Sequence, residues 1–425
     1  MADNVAFSEV MLWGHRVGAV AETADGQVVF EYDRRFADLG LQISPLRLPL
    51  SLRGPISFPE LRKLDAFDGL PGVLADALPD RFGNAIIKKY FTNIGKPNDA
   101  LSPVQKLLYI GSRAMGALEF RPPLREKLTP IERDSIELAS LVQAARKIVE
   151  GKVNIAVPEI MQLGSSAGGQ RPKAVILYNR KNKEVRSAFT NMQPGDEHWV
   201  IKFDGVGELD HPNPKPQPYN RTEYVYWLMA KAAGIDVPEV MLLEERRLAH
   251  LMSKRFDRVG DKRLHQHSLG GMEHVDYNLS GAYSYEQFMR VVMSLNLGQQ
   301  AVEQAYRRTV FNIMARNQDD HVKNISFLMD NQGRWRLAPA YDLTYAKGAG
   351  FTSTHQMTLR GKNEGLKKQD LLDFGAQFDV KKNGKHIIEE VRHALGRWPA
   401  LAKKWHVPDG RIMTIREGMR LMKDE

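Results

Sequence analysis

The sequence predicts an α+β fold built in more than one unit, and three observations lead there. Short runs with period-two alternation, bounded by Gly, Asn, Asp and Pro, fill much of the chain before Lys254. From Tyr285 onward helical spacing dominates, with Val302, Tyr306, Val310 and Met314 at steps of four on one face. A length of 425 residues exceeds what one core ordinarily serves, so two or three domains are expected. We place them at 1–125, a small β-rich unit with added helices; 126–250, a strand-rich middle; and 251–425, a mainly helical C-terminal lobe.

In order, Val10–Trp13, Val17–Val20 and Val28–Tyr32 read as a β-meander, turning at Trp13-Gly14-His15-Arg16 and Ala24-Asp25-Gly26. Gly69–Tyr90 has helical spacing broken near Pro79-Asp80, and Leu107–Phe120 holds a short helical piece and a strand. Leu138–Val149 is helical by pattern. Strands follow at Ala174–Tyr178 and Trp199–Phe203, then a helix over Thr222–Gly234 with a glycine at its stop. Val240–Glu244 and Ala249–Lys254 form a hairpin around Glu245-Arg246-Arg247, and several helices fill Lys367–Glu425.

Composition excludes several chemistries. There is no cysteine, so disulfides, thiol nucleophiles and thiolate metal sites are ruled out and a reducing, cytoplasmic setting is expected. No apolar run approaches the roughly 20 residues that span a bilayer, and no signal-like start is seen, so no membrane role is expected. The formal charge of +9 permits an anionic partner, though lysine pairs such as Lys367-Lys368 and Lys403-Lys404 serve equally to solvate helices.

Phosphoryl transfer needs a loop over the phosphates, a lysine on them, an acid near the acceptor hydroxyl and oxygen ligands for Mg²⁺. The chain offers candidates for all four, in that order. Gly164–Gly169 is a glycine-rich loop able to bring backbone N–H groups to phosphate oxygens, although alone such a stretch is more often a turn. Lys202, flanked by apolar residues, would reach a phosphate or snorkel from an edge strand. Glu223 would hold it as an ion pair, or serve as a favourable first-turn acid, which is the plainer reading. Asp319 and Asn324 have the Asp-x-x-x-x-Asn spacing of a kinase catalytic loop, acid for the hydroxyl and amide oxygen for Mg²⁺. Lys323 would neutralise the transferring group. Asp342, after a hairpin turning at Asn331-Gln332-Gly333, stands where a second metal-binding acid belongs. His321 is a candidate base, with a neutral ring hydrogen-bonded to the loop backbone as the simpler role; Asp320 is expected in solvent. His265, His267 and His274 lack the supporting carboxylates of a metal site.

At these residues the chain resembles the HipA family, serine/threonine kinase toxins of type II toxin–antitoxin modules. Trp13–Gly18 and Gly69–Gly83 are similar to that family's N-terminal region. Ser165-Ser166-Ala167-Gly168-Gly169-Gln170 resembles its Ser-x-Ala-Gly-x-Gln loop, Ser253–Arg258 its Glu-Arg-Phe-Asp-Arg hinge, and Asp319–Asn324 its Asp-Gly-His-x-Lys-Asn loop; Pro339–Asp342 matches the run into its metal-binding Asp. Departures are the Arg171-Pro172 insertion, Asp320 in place of Gly and Lys254 in place of the hinge Glu.

The resemblance implies a bilobal protein-kinase-like fold behind a small N-terminal β domain. It implies ATP between Ala167, Gly168, Gly169, Gln170 and Lys173 on one side, Lys202, the hinge at Lys254 and Phe256, and His321, Asn324, Tyr341 and Asp342 on the other. Asp319 and Lys323 would act in catalysis, and Asn324 and Asp342 would hold Mg²⁺. Ser165, with Ser166 beside it, aligns with the serine whose autophosphorylation switches family members off. The implied substrate is an aminoacyl-tRNA synthetase, typically the glutamyl enzyme, and the implied partner a HipB-like helix-turn-helix antitoxin that takes the complex to operator DNA. A non-catalytic corepressor and a small-molecule phosphotransferase are the other readings the residues allow.

Overall fold

A computed structural model of the chain describes residues 6–79, 101–122, 171–188, 190–208 and 217–422, with positions 83, 84, 87, 142, 143, 145, 146, 211 and 212 between them. The glycine-rich stretch, including Ser165, Ser166, Ala167, Gly168, Gly169 and Gln170, lies outside the described residues, as does most of the helix expected at 138–149.

The meander forms as its alternation dictates. Strands β1 (Phe7–Leu12), β2 (His15–Glu22) and β3 (Val28–Tyr32) run antiparallel, and β4 (Leu118–Arg121) adds at the other edge, giving the order β3-β2-β1-β4. Trp13 and Gly14 both have positive φ between the paired Leu12 and His15, the geometry a two-residue hairpin turn needs. One face of the sheet buries Val10, Leu12, Val17, Val20 and Phe30. Over it lie a single helical turn, α1 (Gly72–Ala75), and α2 (Pro103–Ile110), the latter started by a Ser102/Gln105 capping box.

The middle of the chain is a five-stranded antiparallel sheet. β5 (Lys173–Asn179), β6 (Glu184–Ser187), β7 (Asp196–Lys202), β8 (Val240–Glu245) and β9 (Leu248–Lys254) take the order β8-β9-β7-β5-β6. β7 is therefore interior, which removes the edge-strand reading of Lys202. Its alternation buries Trp199 and Ile201 on one face and turns Val200 and Lys202 to the other. The helix α3 (Tyr219–Ala232) packs beneath β8 and β9 and ends, as expected, before Gly234 at φ +76°.

The C-terminal lobe is helical around a core that includes α4 (Tyr285–Ser294) and α5 (Gln299–Ala315). A small sheet of β10 (His265–Ser268), β11 (Ser326–Met329) and β12 (Trp335–Leu337) lies between the N-terminal meander and the C-terminal lobe. Met329 belongs to the core of the meander, and Trp335 packs against both cores while donating its indole N–H to Gln42 O at 3.2 Å. His265 bonds Ile43 O at 2.8 Å and His267 bonds Ser44 Oγ at 3.0 Å, so both rings serve this joint. Asp320 departs from expectation: it is buried, and its carboxylate accepts from Tyr285 Oη at 2.5 Å and from the Gln356 amide at 2.7 Å, with His355 Nδ1 at 2.8 Å. A carboxylate with three partners tolerates burial that an unpaired one does not.

Candidate active site

A cleft lies between the five-stranded sheet and the C-terminal lobe. Its apolar lining is Val200 and Leu251 from the sheet, Trp227 from α3, and Met115 from the turn before β4. Phe256 and Tyr341 face each other there in a stacked pair, ring centroids 5.7 Å apart. Its charged lining is placed by strand register. Lys173 and Lys202 are direct cross-strand partners on β5 and β7, so two ammonium groups enter the cleft side by side.

Lys202 is held from two directions. Its Nζ lies 2.6 Å from Glu223 Oε1 and 2.6 Å from Asp342 Oδ1. Glu223 sits in the second turn of α3, not the first, and its side chain is 2% exposed. The helix-start role is thereby replaced by the ion pair. Burial disfavours the Lys202 ammonium, but Asp342 and then Glu223 overcome it and hold its pKa above the ordinary value. Burial likewise disfavours the Asp342 carboxylate, and Lys202 followed by Lys173 hold its pKa below the usual range. Asp342 adopts φ +54°, a left-handed conformation that Asp tolerates better than most residues. That turn sends its carboxylate toward Lys202 at the end of the β11–β12 hairpin.

The loop after α5 supplies the remaining groups. Arg316 caps that helix at φ +57°, and a short turn at Val322–Asn324 follows. Asn324 donates its side-chain N–H to the Asp319 carbonyl at 2.9 Å, which leaves its amide oxygen directed elsewhere. The Asp319 side chain remains 42% exposed. Burial in the depression raises its pKa; His321 works against this, while Asp342 and Asp320 add to it. His321 Nε2 stands 3.6 Å from Asp319 Oδ1, too long for a hydrogen bond. Burial lowers the His321 pKa, partly offset by Asp319. The ring does not hydrogen-bond the loop; it packs on Tyr277 and Phe351, and among the described residues Nδ1 has no partner. Tyr341 Oη bonds Lys323 O at 2.7 Å and Ser326 Oγ at 2.6 Å.

Two candidates direct their ammonium groups elsewhere. Lys254 lines the cleft, yet its ammonium pairs with Glu197 on the neighbouring strand. Lys323 directs its Nζ to Asp76 Oδ1 at 3.0 Å, back toward the N-terminal meander.

Residues 8–121 match the HipA N-terminal domain, and residues 165–398 match the HipA-like C-terminal domain. The chain belongs to the HipA family. A relative in Sinorhizobium fredii, described as "Putative kinase Y4dM", is 22% identical over 429 residues, covering 95% of this chain and 94% of its own length. A Haemophilus influenzae protein with the same kinase description is 28% identical over 210 residues, 44% of this chain and 54% of its own. Among solved structures, HipA of Shewanella oneidensis MR-1, determined with HipB and its operator DNA, superposes with a TM-score of 0.65 at 17% identity, covering 97% of this chain and 94% of that one. That likeness is one of fold, and the bilobal kinase-like architecture expected from the sequence is the one observed.

Sequence reading of this HipA-family chain brought Lys202, Asp342, Tyr341, Phe256 and Lys173 into one cleft, and they meet there. It missed Met115 and Trp227, whose only sequence signal is an apolar type shared with any core residue. It also missed Asp76, which looked like a polar position in an ordinary helical stretch.

Proposed function

We propose that this chain is a Mg-ATP-dependent serine/threonine protein kinase acting as the toxin of a toxin–antitoxin pair. The observation that carries this reading is Lys202 clamped by Glu223 and Asp342 at 2.6 Å each, in a cleft that also carries an aromatic and aliphatic lining. Such a lining suits a nucleotide base, and adjacent Lys173 and Lys202 suit its phosphates. Val200 and Leu251 exclude water from the base while Phe256 and Tyr341 offer it a flat face. Asp319, with an accessible side chain, accepts the proton of a serine or threonine hydroxyl as its oxygen bonds the γ-phosphorus. The bond to the β–γ bridging oxygen breaks in the same step, and ADP leaves with the electron pair.

The donors present suit magnesium. The Asn324 amide oxygen and the Asp342 carboxylate are hard oxygen ligands, and Mg²⁺ takes one or two such side chains together with phosphate oxygens. Bound there, the ion supplies charge neutralisation on the phosphates. Asn324 is held ready by its bond to the Asp319 carbonyl, which fixes acid and amide in one loop geometry.

The finer parts of the reading rest on the family resemblance. The substrate is an aminoacyl-tRNA synthetase, the glutamyl enzyme first among them, and its phosphorylation halts translation and growth. Ser165, or Ser166 beside it, takes a phosphate of about −2 charge that cannot share the loop with ATP phosphates, and the kinase switches itself off. A HipB-like antitoxin binds the chain and carries it to operator DNA; the complex of the Shewanella protein supports this partner class. The test is mass spectrometry of phosphosites after incubation with Mg-ATP and purified synthetases. Phosphoserine at Ser165 or Ser166 and on one synthetase is expected. Absence of phosphate from both the chain and every synthetase contradicts the assignment.

A further inference from the structure

Asp76 ends the single helical turn α1, far in sequence from the catalytic loop, yet four hydrogen bonds bind its carboxylate to the kinase-like part of the chain. Oδ2 accepts the Ser268 amide at 2.7 Å and lies 2.7 Å from His267 Nδ1. Oδ1 accepts Ser268 Oγ at 2.6 Å and Lys323 Nζ at 3.0 Å. Both ends of the Lys323 ion pair are shielded, with side chains 15% and 12% exposed. Lys323 immediately precedes Asn324, and its carbonyl receives the Tyr341 hydroxyl, one residue before Asp342. A single unbroken set of contacts thus runs from the N-terminal unit, through Lys323, to both segments that carry the proposed metal ligands.

The turn that presents Asp76 is packed too closely to wander. A Cβ on Gly72 would stand 2.0 Å from Gly271 O, and one on Gly271 would stand 2.5 Å from Asp76 Oδ2. Gly72 N–H donates to His274 Nε2 at 3.0 Å, closing the contact from the other side. A second clasp lies beside the cleft: Gly116 donates its N–H to Asp257 Oδ2 at 2.7 Å and accepts from Arg258 at 2.9 Å, which seats Met115 in the cleft wall.

We propose that Asp76 is a positioning residue for phosphoryl transfer, supplied by the N-terminal unit, which fixes Lys323 and through it the Asn324 and Asp342 segments. The N-terminal unit is then part of the catalytic apparatus and not an appendage to it. This rests on the kinase reading above. Misplacing reacting groups by about 1 Å costs on the order of 100-fold in rate without a matching loss of binding.

The test measures transfer from Mg-ATP by the full chain and by Asp76→Asn, Lys323→Met, Lys323→Arg and the double variant Asp76→Asn/Lys323→Met, below each variant's unfolding temperature. We expect Asp76→Asn and Lys323→Met each to lose about 100-fold in kcat, with KM for ATP within about twofold. The double variant should lose no more than Lys323→Met alone, since both remove one contact. Lys323→Arg, which keeps the ion pair, should retain most of the rate. Wild-type kcat in either single variant, a loss confined to KM, or multiplying losses in the double variant overturns the proposal. Should Asp76→Asn not fold, the Met and Arg variants at Lys323 decide it by their ratio: equal rates overturn it. A wild-type chain that transfers nothing overturns the kinase reading itself, a different outcome from wild-type transfer with unaffected variants.

Discussion

At the scale of residues, the candidate acids differ in environment. Glu223 and Asp342 lie against an ammonium, whereas Asp319 has no cation within bonding distance among the described residues. Burial raises the Asp319 pKa above the ordinary 3.8. A general base works ionised, so rate falls as pH drops through that raised value. The acid limb of kcat/KM should therefore lie above pH 3.8, with full rate on the alkaline side of it. A pH profile measured where the protein remains folded checks this; a limb at or below the ordinary carboxylate value would assign the base elsewhere.

At the scale of elements, the contact between α1 and the turn at Leu269–Glu273 depends on two facing glycines. Gly72→Ala places a methyl against the Gly271 backbone, where no flexible side chain can give way. Overpacking of this kind costs about 1–3 kcal/mol, and the elements must part. Thermal unfolding should show the lower stability, and transfer should fall with it because Asp76 moves. An unchanged melting temperature and rate would show that the contact is loose. The elements themselves were largely legible. Alternation located β1 to β3 and the step-of-four stripe located α5; of the spaced set Asp319, Asn324 and Asp342, Asp342 lines the cleft. What remained hidden was long range. The partner of Lys323 is 247 residues away, and the burial of Asp320 depends on Tyr285 and Gln356, 35 and 36 residues distant. Local pattern carries no record of such meetings. Glu223 was misread for a related reason: whether a helix acid faces solvent or a lysine depends on which sheet the helix meets.

At the scale of the whole molecule, two histidines at the joint with the N-terminal unit are disfavoured as cations by burial. Burial lowers the pKa of His265 to about 4 and of His274 to about 3, against 6.5 in the open chain. Between those values the unfolded chain binds protons that the folded one refuses, so stability falls as pH drops below about 6.5 and the loss is complete near the folded pKa. Each such ring contributes a slope of about 1.4 kcal/mol per pH unit. Chemical denaturation at pH 7, 6 and 5 should show a progressive loss that salt does little to reverse; constant stability would place these rings in water. The same joint seats the N-terminal unit on the kinase-like lobes, so acid should weaken catalysis and folding together.

The central claim is that Asp319 is the acid at which a phosphoryl group is transferred. The direct measurement is incorporation of γ-labelled phosphate from Mg-ATP by the wild-type chain and by Asp319→Ala, both shown to be folded and to bind nucleotide. Wild-type incorporation with a loss of at least about 1,000-fold in the variant is predicted. Equal incorporation by the two, or none by the wild type, would contradict it.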